Sequence, residues 1–292
     1  MIGVHLLNLT KPPFKVIAHQ SAESAATDML LTFSAIRTLP DKVSRSFEAV
    51  ARCTGVSART PLIVAGRRLS KAMDNGVGAG QGNAYHNAQH FCEVMLGAYF
   101  LSLLSDLDTK SRLEVVLAAL VHDFQHDGKG NGHIPFRLER IAVDKSTPYL
   151  VAARVPELQR GHVAALVLAT EMGSGLAITH ASHAHHVGGT ARPEVHGSAP
   201  ELAGLATNFT LARQALIVCE ADVLPSVGLT VEHSLRLQDG LATEWGVTLG
   251  AQDKFRFIAE TFPGLIMGVF FQPNVERLRQ FLLQRTKNAA AA

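Results

Sequence analysis

The sequence is poor in charge and in cysteine, and both shortages narrow the class of protein. Charged residues make up 18% of the 292 residues, and 27 basic residues against 25 acidic ones leave a net charge of +2. Nucleic-acid-binding proteins ordinarily carry a clustered basic excess, so we expect no nucleic-acid partner. Three cysteines are too few, and odd in number, for a disulfide framework, which indicates a reducing compartment.

Long hydrophobic runs are also missing. The most apolar stretches, 94–104 and 264–271, fall short of the roughly 18 consecutive apolar residues that a membrane-spanning helix needs. The first residues, 1–15, lack the basic start, hydrophobic segment and cleavage site of a secretory signal. We therefore expect a cytoplasmic protein without membrane insertion.

Hydrophobic residues are abundant, at 47% of the chain, and recur three and four positions apart. This period is typical of helices with one buried face, and no segment of strand length alternates with a period of two. We expect an all-α protein with helices at 22–37, 41–53, 61–74, 84–105, 111–124, 135–144, 157–172, 202–224, 231–246, 252–261 and 264–284. The segment Gly173–Pro200 has low hydrophobicity and five histidines, and we interpret it as a solvated loop.

The first of three segments with metal-binding chemistry holds His86 and His90. Their spacing of four residues predicts that both imidazoles lie on one face of the helix at 84–105. That face continues through apolar residues, so the rings point toward the core, where a polar ring is costly without a partner. A metal ion or a carboxylate would be such a partner, although two hydrogen-bonded core histidines would show the same spacing.

The other two segments bring carboxylates to the ends of predicted helices. His122 and Asp123 offer a nitrogen and an oxygen to one cation, and the second oxygen of Asp123 is free for another cation. Asp222 lies beside the buried stripe of a helix that we expect Pro225 to end. Each feature alone has a structural explanation, but the occurrence of all three on helices with buried faces favours a metal centre.

Taken together, the three segments resemble class I cyclic nucleotide phosphodiesterases, which belong to the HD-type phosphohydrolase superfamily. YHNAQHFCEV is similar to the family's YHNxxHAxDV motif, VHDFQHDGKGN to HDxDHPGxxN, and CEADVLP to ADxSNP; LATEM and the Glu244-Trp245 pair are weaker similarities. The resemblance implies one compact all-helical catalytic domain at 22–285 with a dinuclear metal site between its helices. An N-terminal extension at 1–21 and a C-terminal tail at 286–292 would flank it.

The resemblance also implies the metal ligands. His90, His122, Asp123 and Asp222 would bind the first metal, and two imidazoles with two carboxylates suit Zn, Mn or Fe. The second metal, Mg or Mn, would contact protein through Asp123 alone and otherwise hold waters. A hydroxide bridging both ions would attack the phosphorus, and His86 would act as the general acid.

Further site residues follow from the same resemblance. His126 is the second catalytic-site histidine, and with Asn131 and Thr170 it matches positions that hold metal-bound waters in the family. Tyr85 begins the first motif. Phe262 stands where the family has its purine-selecting glutamine, and Leu265 stands at the clamping phenylalanine.

The implied substrate is a small-molecule phosphodiester, foremost a 3′,5′-cyclic nucleotide that is converted to the 5′-nucleotide. A pocket without an amide to read a base edge discriminates weakly, so we expect little preference between adenine and guanine.

Three alternatives stay open. A phosphodiesterase could act on a non-nucleotide diester. An HD-type dinuclear iron oxygenase would need two further histidines on the second metal, from His162 or the histidine-rich segment 173–200. A binding module with a decayed site is disfavoured, because every matched ligand is present. The sequence also leaves homodimerisation open.

Overall fold

The computed structural model describes residues 21–80, 82–105, 107–261 and 266–291. In chain order its α-helices are α1 (Ala22–Ile36), α2 (Lys42–Cys53), α3 (Pro61–Asp74), α4 (Ala88–Leu104), α5 (Thr109–Val121), α6 (Arg137–Ala152), α7 (Glu157–Leu168), α8 (Ser174–Gly188), α9 (Phe209–Val227), α10 (Val231–Trp245), α11 (Ala251–Thr261) and α12 (Gln272–Ala291). Short 3-10 helices lie at Pro200–Gly204 and Val269–Phe271. The described residues contain no strand, and the prediction of an all-α fold is confirmed.

Helices α4, α5 and α9 pack against one another at the centre of the fold. Every side chain from His90 to Ser102 in α4 and from Leu113 to Val121 in α5 is buried. Helices that are apolar on all sides are surrounded by others, which explains why these two lie in the middle. The metal-binding motifs lie at the ends of these helices, so their side chains emerge from closely packed elements.

The boundaries of α4 and α5 correct two predictions. α4 begins at Ala88, after the capping residue Asn87, so His86 precedes the helix. The prediction that His86 and His90 share one helix face is therefore wrong. α5 ends at Val121, and its last predicted residues, 122–124, lie in the turn that follows.

Two prolines lie inside helices, and the prediction that Pro225 ends its helix is wrong. α9 includes Pro225 and continues to Val227, and α6 includes Pro148 and continues to Ala152. Both prolines lie close to the C-terminal end of their helix. We infer that the missing N–H and the clash with the preceding turn disturb only the last turn there.

The histidine-rich segment is the largest correction. We expected a loop over 173–200, but α8 occupies Ser174–Gly188. Its buried residues include Leu176, Thr179 and Ser182, which recur three apart and pack on the core side. At the other end of the chain, α12 continues through 286–291, the stretch that we had separated as a tail.

No single helix within the described ranges is long and apolar enough to span a membrane. The α9 and α10 helices pass that test only as a pair, with a bend of 99° between them, on length and composition alone.

Candidate metal centre

His90 enters the centre of the fold from the first turn of α4. Asn87 caps this helix, because its side-chain oxygen accepts the backbone N–H of Gln89 at 2.9 Å. The His90 side chain is buried, and its Nδ1 has no hydrogen-bond partner in the part of the chain that the structure describes. Its Nε2 points to the ends of α5 and α9.

His122 and Asp123 follow the last turn of α5. The Nδ1–H of His122 donates to the carbonyl oxygen of Ala119 at 2.9 Å. This bond places the ring proton on Nδ1 and leaves the lone pair of Nε2 available to a metal. The Oδ2 atom of Asp123 lies 3.0 Å from that Nε2.

Asp222 of α9 completes a group of four potential ligand atoms. Its Oδ1 lies 3.3 Å from the Nε2 atoms of both His90 and His122, which are themselves 3.3 Å apart. The Oδ2 of Asp123 lies 3.4 Å from Nε2 of His90. Ligand atoms that bind one divalent ion at about 2.0–2.2 Å stand roughly 3.0–3.5 Å from each other. His90, His122 and Asp222 therefore fit a single cation, and Asp123, which lies against both imidazoles, stays a predicted fourth ligand.

The histidines and carboxylates of this group shift the pKa values of one another. Burial disfavours the charged form of His90, but Asp123 and Asp222 outweigh this and raise the pKa of His90 to about 9. The pKa of His122 is raised well above its usual value against the same burial. Burial would raise the pKa of both carboxyls, yet the two histidines hold them well below the usual range. The two ionised carboxylates are thus balanced by protons on the imidazoles, and a divalent cation bound by the same side chains would take the place of those protons.

His86 lies in the turn before α4, where Glu244 of α10 holds it. Oε1 of Glu244 lies 2.5 Å from Nδ1 of His86, and Oε2 accepts the backbone N–H groups of Tyr85 at 2.8 Å and His86 at 3.0 Å. Burial would raise the pKa of Glu244, but the bond and charge of His86 outweigh it and lower the pKa to about 2. An ionised Glu244 binds the Nδ1–H of His86, so Nε2 is the nitrogen left for a ligand.

The turn that carries His86 packs closely against a glycine. Gly80 has a φ of +55°, and a Cβ at that position would come within 1.8 Å of the carbonyl oxygen of His86. Only glycine combines the left-handed conformation with so close an approach.

The ring of His126 stacks on that of His86, with 3.7 Å between centroids and 16° between planes. Its Nδ1 accepts the backbone N–H of Gly128 at 3.0 Å. Burial lowers the pKa of His126 to about 4, so this ring is neutral at pH 7. His126 therefore forms an uncharged wall beside His86.

Asn131 and Thr170, which we expected to hold metal-bound waters, are both fixed by hydrogen bonds. Asn131 accepts the backbone N–H of Leu138 at 2.8 Å and donates to Glu139 at 3.0 Å, while Thr170 donates to the carbonyl of Val167 at 2.8 Å. Burial, with the negative charge of Asp123 nearby, raises the pKa of Glu139 to about 7. Glu139 is thus an acidic neighbour of the predicted second metal site.

A cavity of about 310 Å³ opens beside the metal centre. Asp222, His86 and Tyr85 line one side, and the Tyr85 hydroxyl lies 3.0 Å from the Ser226 hydroxyl. Leu237, Leu241, Trp245 and Phe257 provide apolar walls, and Gln238 and Lys254 provide polar groups. The cavity therefore has a polar group besides the metal ligands.

Phe262 and Leu265 lie outside the described residues, and their roles stay predictions. Gln238 lines the cavity, but its NH2 group is bound to the carbonyl oxygens of Leu249 and Gly250 and its Oε1 is buried, so the expectation that no amide reads a base edge stays a prediction.

Three further histidines, two of α8 and one of α7, are engaged elsewhere. His185 donates to the carbonyl of Thr190 at 2.5 Å, His186 to that of Leu205 at 2.8 Å, and His162 lies 3.3 Å from Glu114. Within the described ranges, the groups of histidine and acidic side chains close enough to bind an ion are His90, His122 and Asp222, and His86, His126 and Glu244. The histidines that an oxygenase would need are therefore not supplied by α8 or His162.

No model of a known protein family and no curated protein sequence matches the chain. Its structure is similar to the phosphodiesterase domain of the RhoPDE fusion protein from the choanoflagellate Salpingoeca rosetta, with a TM-score of 0.61 and 15% sequence identity over 99% of this chain and 100% of that one. The phosphodiesterase domain of Salpingoeca rosetta rhodopsin phosphodiesterase gives a TM-score of 0.55 at 14% identity, over 98% of this chain and 94% of that one. The chain thus has the all-helical fold of phosphodiesterase domains, as the sequence motifs predicted.

Sequence reasoning missed three residues of this site. Glu244 was noted only as part of a weak similarity, although it holds His86 across more than 150 residues of chain. Gln238 and Lys254 received no role at all. Each is one of several polar residues in its helix, and only the packing of α10 and α11 shows that these two line a cavity.

Proposed function

We propose that this chain is a metal-dependent hydrolase of phosphodiesters, and that its substrates are 3′,5′-cyclic nucleotides, which it converts to 5′-nucleotides. The observation that carries the proposal is that the Nε2 atoms of His90 and His122 each lie 3.0–3.4 Å from carboxylate oxygens of both Asp123 and Asp222, beside a cavity that His86 also lines. A cyclic phosphodiester placed there would have its phosphate at the metal centre and its base among the apolar walls.

His90, His122, Asp123 and Asp222 would hold the first divalent ion, Zn, Mn or Fe, and the second oxygen of Asp123 would reach a second, Mg or Mn. When bound, such ions lower the pKa of water and neutralise charge on a phosphoryl group. The acidic surroundings of Asp123, which include Glu139, suit a second hard cation.

The chain's own residues would manage the proton. Hydrolysis forms a phosphorus–oxygen bond to water and breaks the bond to the 3′ oxygen, which leaves as an alkoxide unless it is protonated. His86 would donate the proton from Nε2, since Glu244 holds the opposite nitrogen. Of the two stacked histidines, His86 lines the cavity, whereas His126 is neutral at pH 7 and would be a poor acid.

A substrate panel tests the proposal. Purified protein with both metals is offered cyclic AMP, cyclic GMP, bis(4-nitrophenyl) phosphate and a phosphomonoester, and metal content is measured on the same preparation. We expect hydrolysis of the diesters and none of the monoester. Hydrolysis of the monoester alone, or of no phosphate ester, would contradict the proposal.

A further inference from the structure

The side chain of one asparagine joins the two segments that carry the stacked histidines. Nδ2 of Asn83 donates to the carbonyl oxygen of His86 at 3.1 Å and to that of His126 at 3.1 Å. Only the NH2 end of the side chain can donate two hydrogen bonds, so the orientation of the amide is fixed. Asn83 and His126 are 43 residues apart in the chain, and this amide therefore links two separate loops.

The main chain of Asn83 is itself held by the turn that carries His86. Its N–H donates to the carbonyl oxygen of Gly80 at 2.9 Å. Its carbonyl oxygen accepts Nδ2 of Asn87, the residue that caps α4, at 3.1 Å. Asn83 is thus anchored on the side of His86, and its side chain reaches across to the loop of His126.

The amide of Asn83 lies in a narrow space between two glycines. A Cβ at Gly80 would come within 2.8 Å of its Nδ2, and a Cβ at Gly128 would come within 3.1 Å of its Oδ1. The Cβ at Gly128 would also lie 3.6 Å from Cγ of Glu244, the residue that holds His86. The amide of Asn83 and the side chain of Glu244 therefore pack close to the same glycine.

We infer that Asn83 is a positioning residue for the proposed general acid His86, because its NH2 group keeps the imidazoles of His86 and His126 stacked. The inference rests on the proposed function, since it concerns the same proton transfer. The two rings lie 3.7 Å apart with 16° between their planes, which requires a fixed separation of their backbones. Two hydrogen bonds from one nitrogen set that separation. A second link between the loops, from the N–H of Gln125 to the carbonyl oxygen of Gly78 at 2.9 Å, uses backbone atoms alone.

The stack affects proton transfer because His86 must present Nε2 to the leaving oxygen. Glu244 holds Nδ1 of this ring, but one hydrogen bond does not fix the tilt of the ring plane. The ring of His126 covers one face of the His86 ring and restricts that tilt while the two loops stay together. Without the amide of Asn83, we expect the loops to separate and Nε2 to lose its direction. A misplacement of about 1 Å at a catalytic group can cost on the order of 100-fold in rate.

The first test compares Asn83→Ala with the wild type, as the metal-loaded full chain, on two leaving groups. For cyclic GMP, whose alkoxide needs a proton, kcat should fall by about 5- to 100-fold while KM changes by less than about threefold. For bis(4-nitrophenyl) phosphate, whose nitrophenolate needs none, the loss should stay below about threefold. Asn83→Asp keeps the shape of the side chain but has no N–H group to donate, so it should lose at least as much as Asn83→Ala.

Two further measurements separate positioning from a general loss of structure. In the His86→Ala background, Asn83→Ala should cost less than about threefold, because the ring that Asn83 positions is already gone. The exchange of the His86 Nδ1 proton with water, followed by NMR of histidine-labelled protein, needs no substrate. That exchange should quicken at least about fivefold in Asn83→Ala.

Asn75→Ala is the matched control, because it removes an amide from an exposed position directly after α3. Unfolding temperature and metal content show that each variant is folded and loaded. Equal losses on both diesters, wild-type turnover in Asn83→Asp, or unchanged proton exchange in Asn83→Ala would overturn the inference while leaving phosphodiester hydrolysis intact. A wild type that cleaves no diester would overturn the proposed function, and the proton exchange would still decide whether Asn83 positions His86.

Discussion

The link between Glu244 and His86 makes the sharpest prediction about catalysis. Glu244→Gln removes the negative charge and replaces one accepting oxygen with an NH2 group, which cannot accept the backbone N–H groups of Tyr85 and His86. The imidazole would lose the carboxylate that fixes its tautomer and its orientation. We expect metal binding to persist, since Glu244 contacts none of the four metal-ligand side chains in the hydrogen bonds of the structure.

The expected fall in kcat follows from the lowered pKa of Glu244. Its pKa falls from 4.5 to about 2. This shift means that the folded protein favours the ionised form of Glu244 by about 3 kcal/mol. Part of that preference comes from the backbone donors, so the share that acts through His86 is on the order of 1–3 kcal/mol. At about 1.4 kcal/mol per factor of ten, kcat should fall roughly 10- to 100-fold. His86→Ala should cost more, about two to four orders of magnitude.

The assay is a double-mutant cycle on two leaving groups. Glu244→Gln should lower kcat strongly for cyclic GMP, whose alkoxide needs a proton, and weakly for bis(4-nitrophenyl) phosphate, whose nitrophenolate does not. In the His86→Ala background the second change should cost less than about threefold, because Glu244 acts through a ring that is already gone. Asp239→Asn, on an exposed position of the same helix, is the control. A further 10- to 100-fold loss in the His86→Ala background would refute the reasoning.

Two other predictions concern the metal and the buried glutamate of α9. Asp222→Ala should lose the tightly bound metal together with nearly all turnover, and full metal occupancy by elemental analysis would exclude Asp222 as a ligand. Burial raises the pKa of Glu220 from 4.5 to about 7 against three backbone N–H donors at Ile266, Met267 and Gly268. The folded state thus keeps a proton that the unfolded chain loses, so stability falls as pH rises from about 4.5 to about 7. Relative to Glu220→Gln, the wild-type free energy of unfolding in urea should drop by on the order of 1–3 kcal/mol across that window, and an equal pH dependence of both proteins would contradict this.

The central helices could be predicted from the sequence because their hydrophobic residues follow the helical period over several turns. α4, α5 and α9 are mostly buried, and their apolar segments are longer than ordinary strands, which favours a helix. The exact ends were harder to predict. Asn87 is a helix-capping residue and does begin α4, but Tyr85 and His86 before it look equally compatible with a helix.

α8 was missed because its buried stripe is only partly apolar. Leu176 and Ile178 are buried together with Thr179 and Ser182, and four histidines lie in the same helix, so the hydrophobic pattern is weak. The threonine hydroxyl donates to the carbonyl of Gly175 at 2.9 Å within the helix, which removes the cost of burying it.

The sequence motifs predict the proposed metal ligands, but they do not predict which residue binds His86. His90, His122, Asp123 and Asp222 lie in short motifs whose resemblance to a known family predicts their role. Glu244 is 158 residues from His86, and nothing in local spacing relates the two. Long-range pairs of this kind depend on how helices pack, which the period of each helix does not encode.

The most direct measurement of the central claim is metal removal and return with turnover as the readout. The protein is stripped with a chelator, and hydrolysis of cyclic GMP and bis(4-nitrophenyl) phosphate is measured as Zn, Mn and Mg are added back, with bound metal counted in parallel. We predict that stripped wild type is inactive, that activity returns as the two sites fill, and that His90→Ala does not recover. Diester hydrolysis at full rate by the stripped protein would contradict the account.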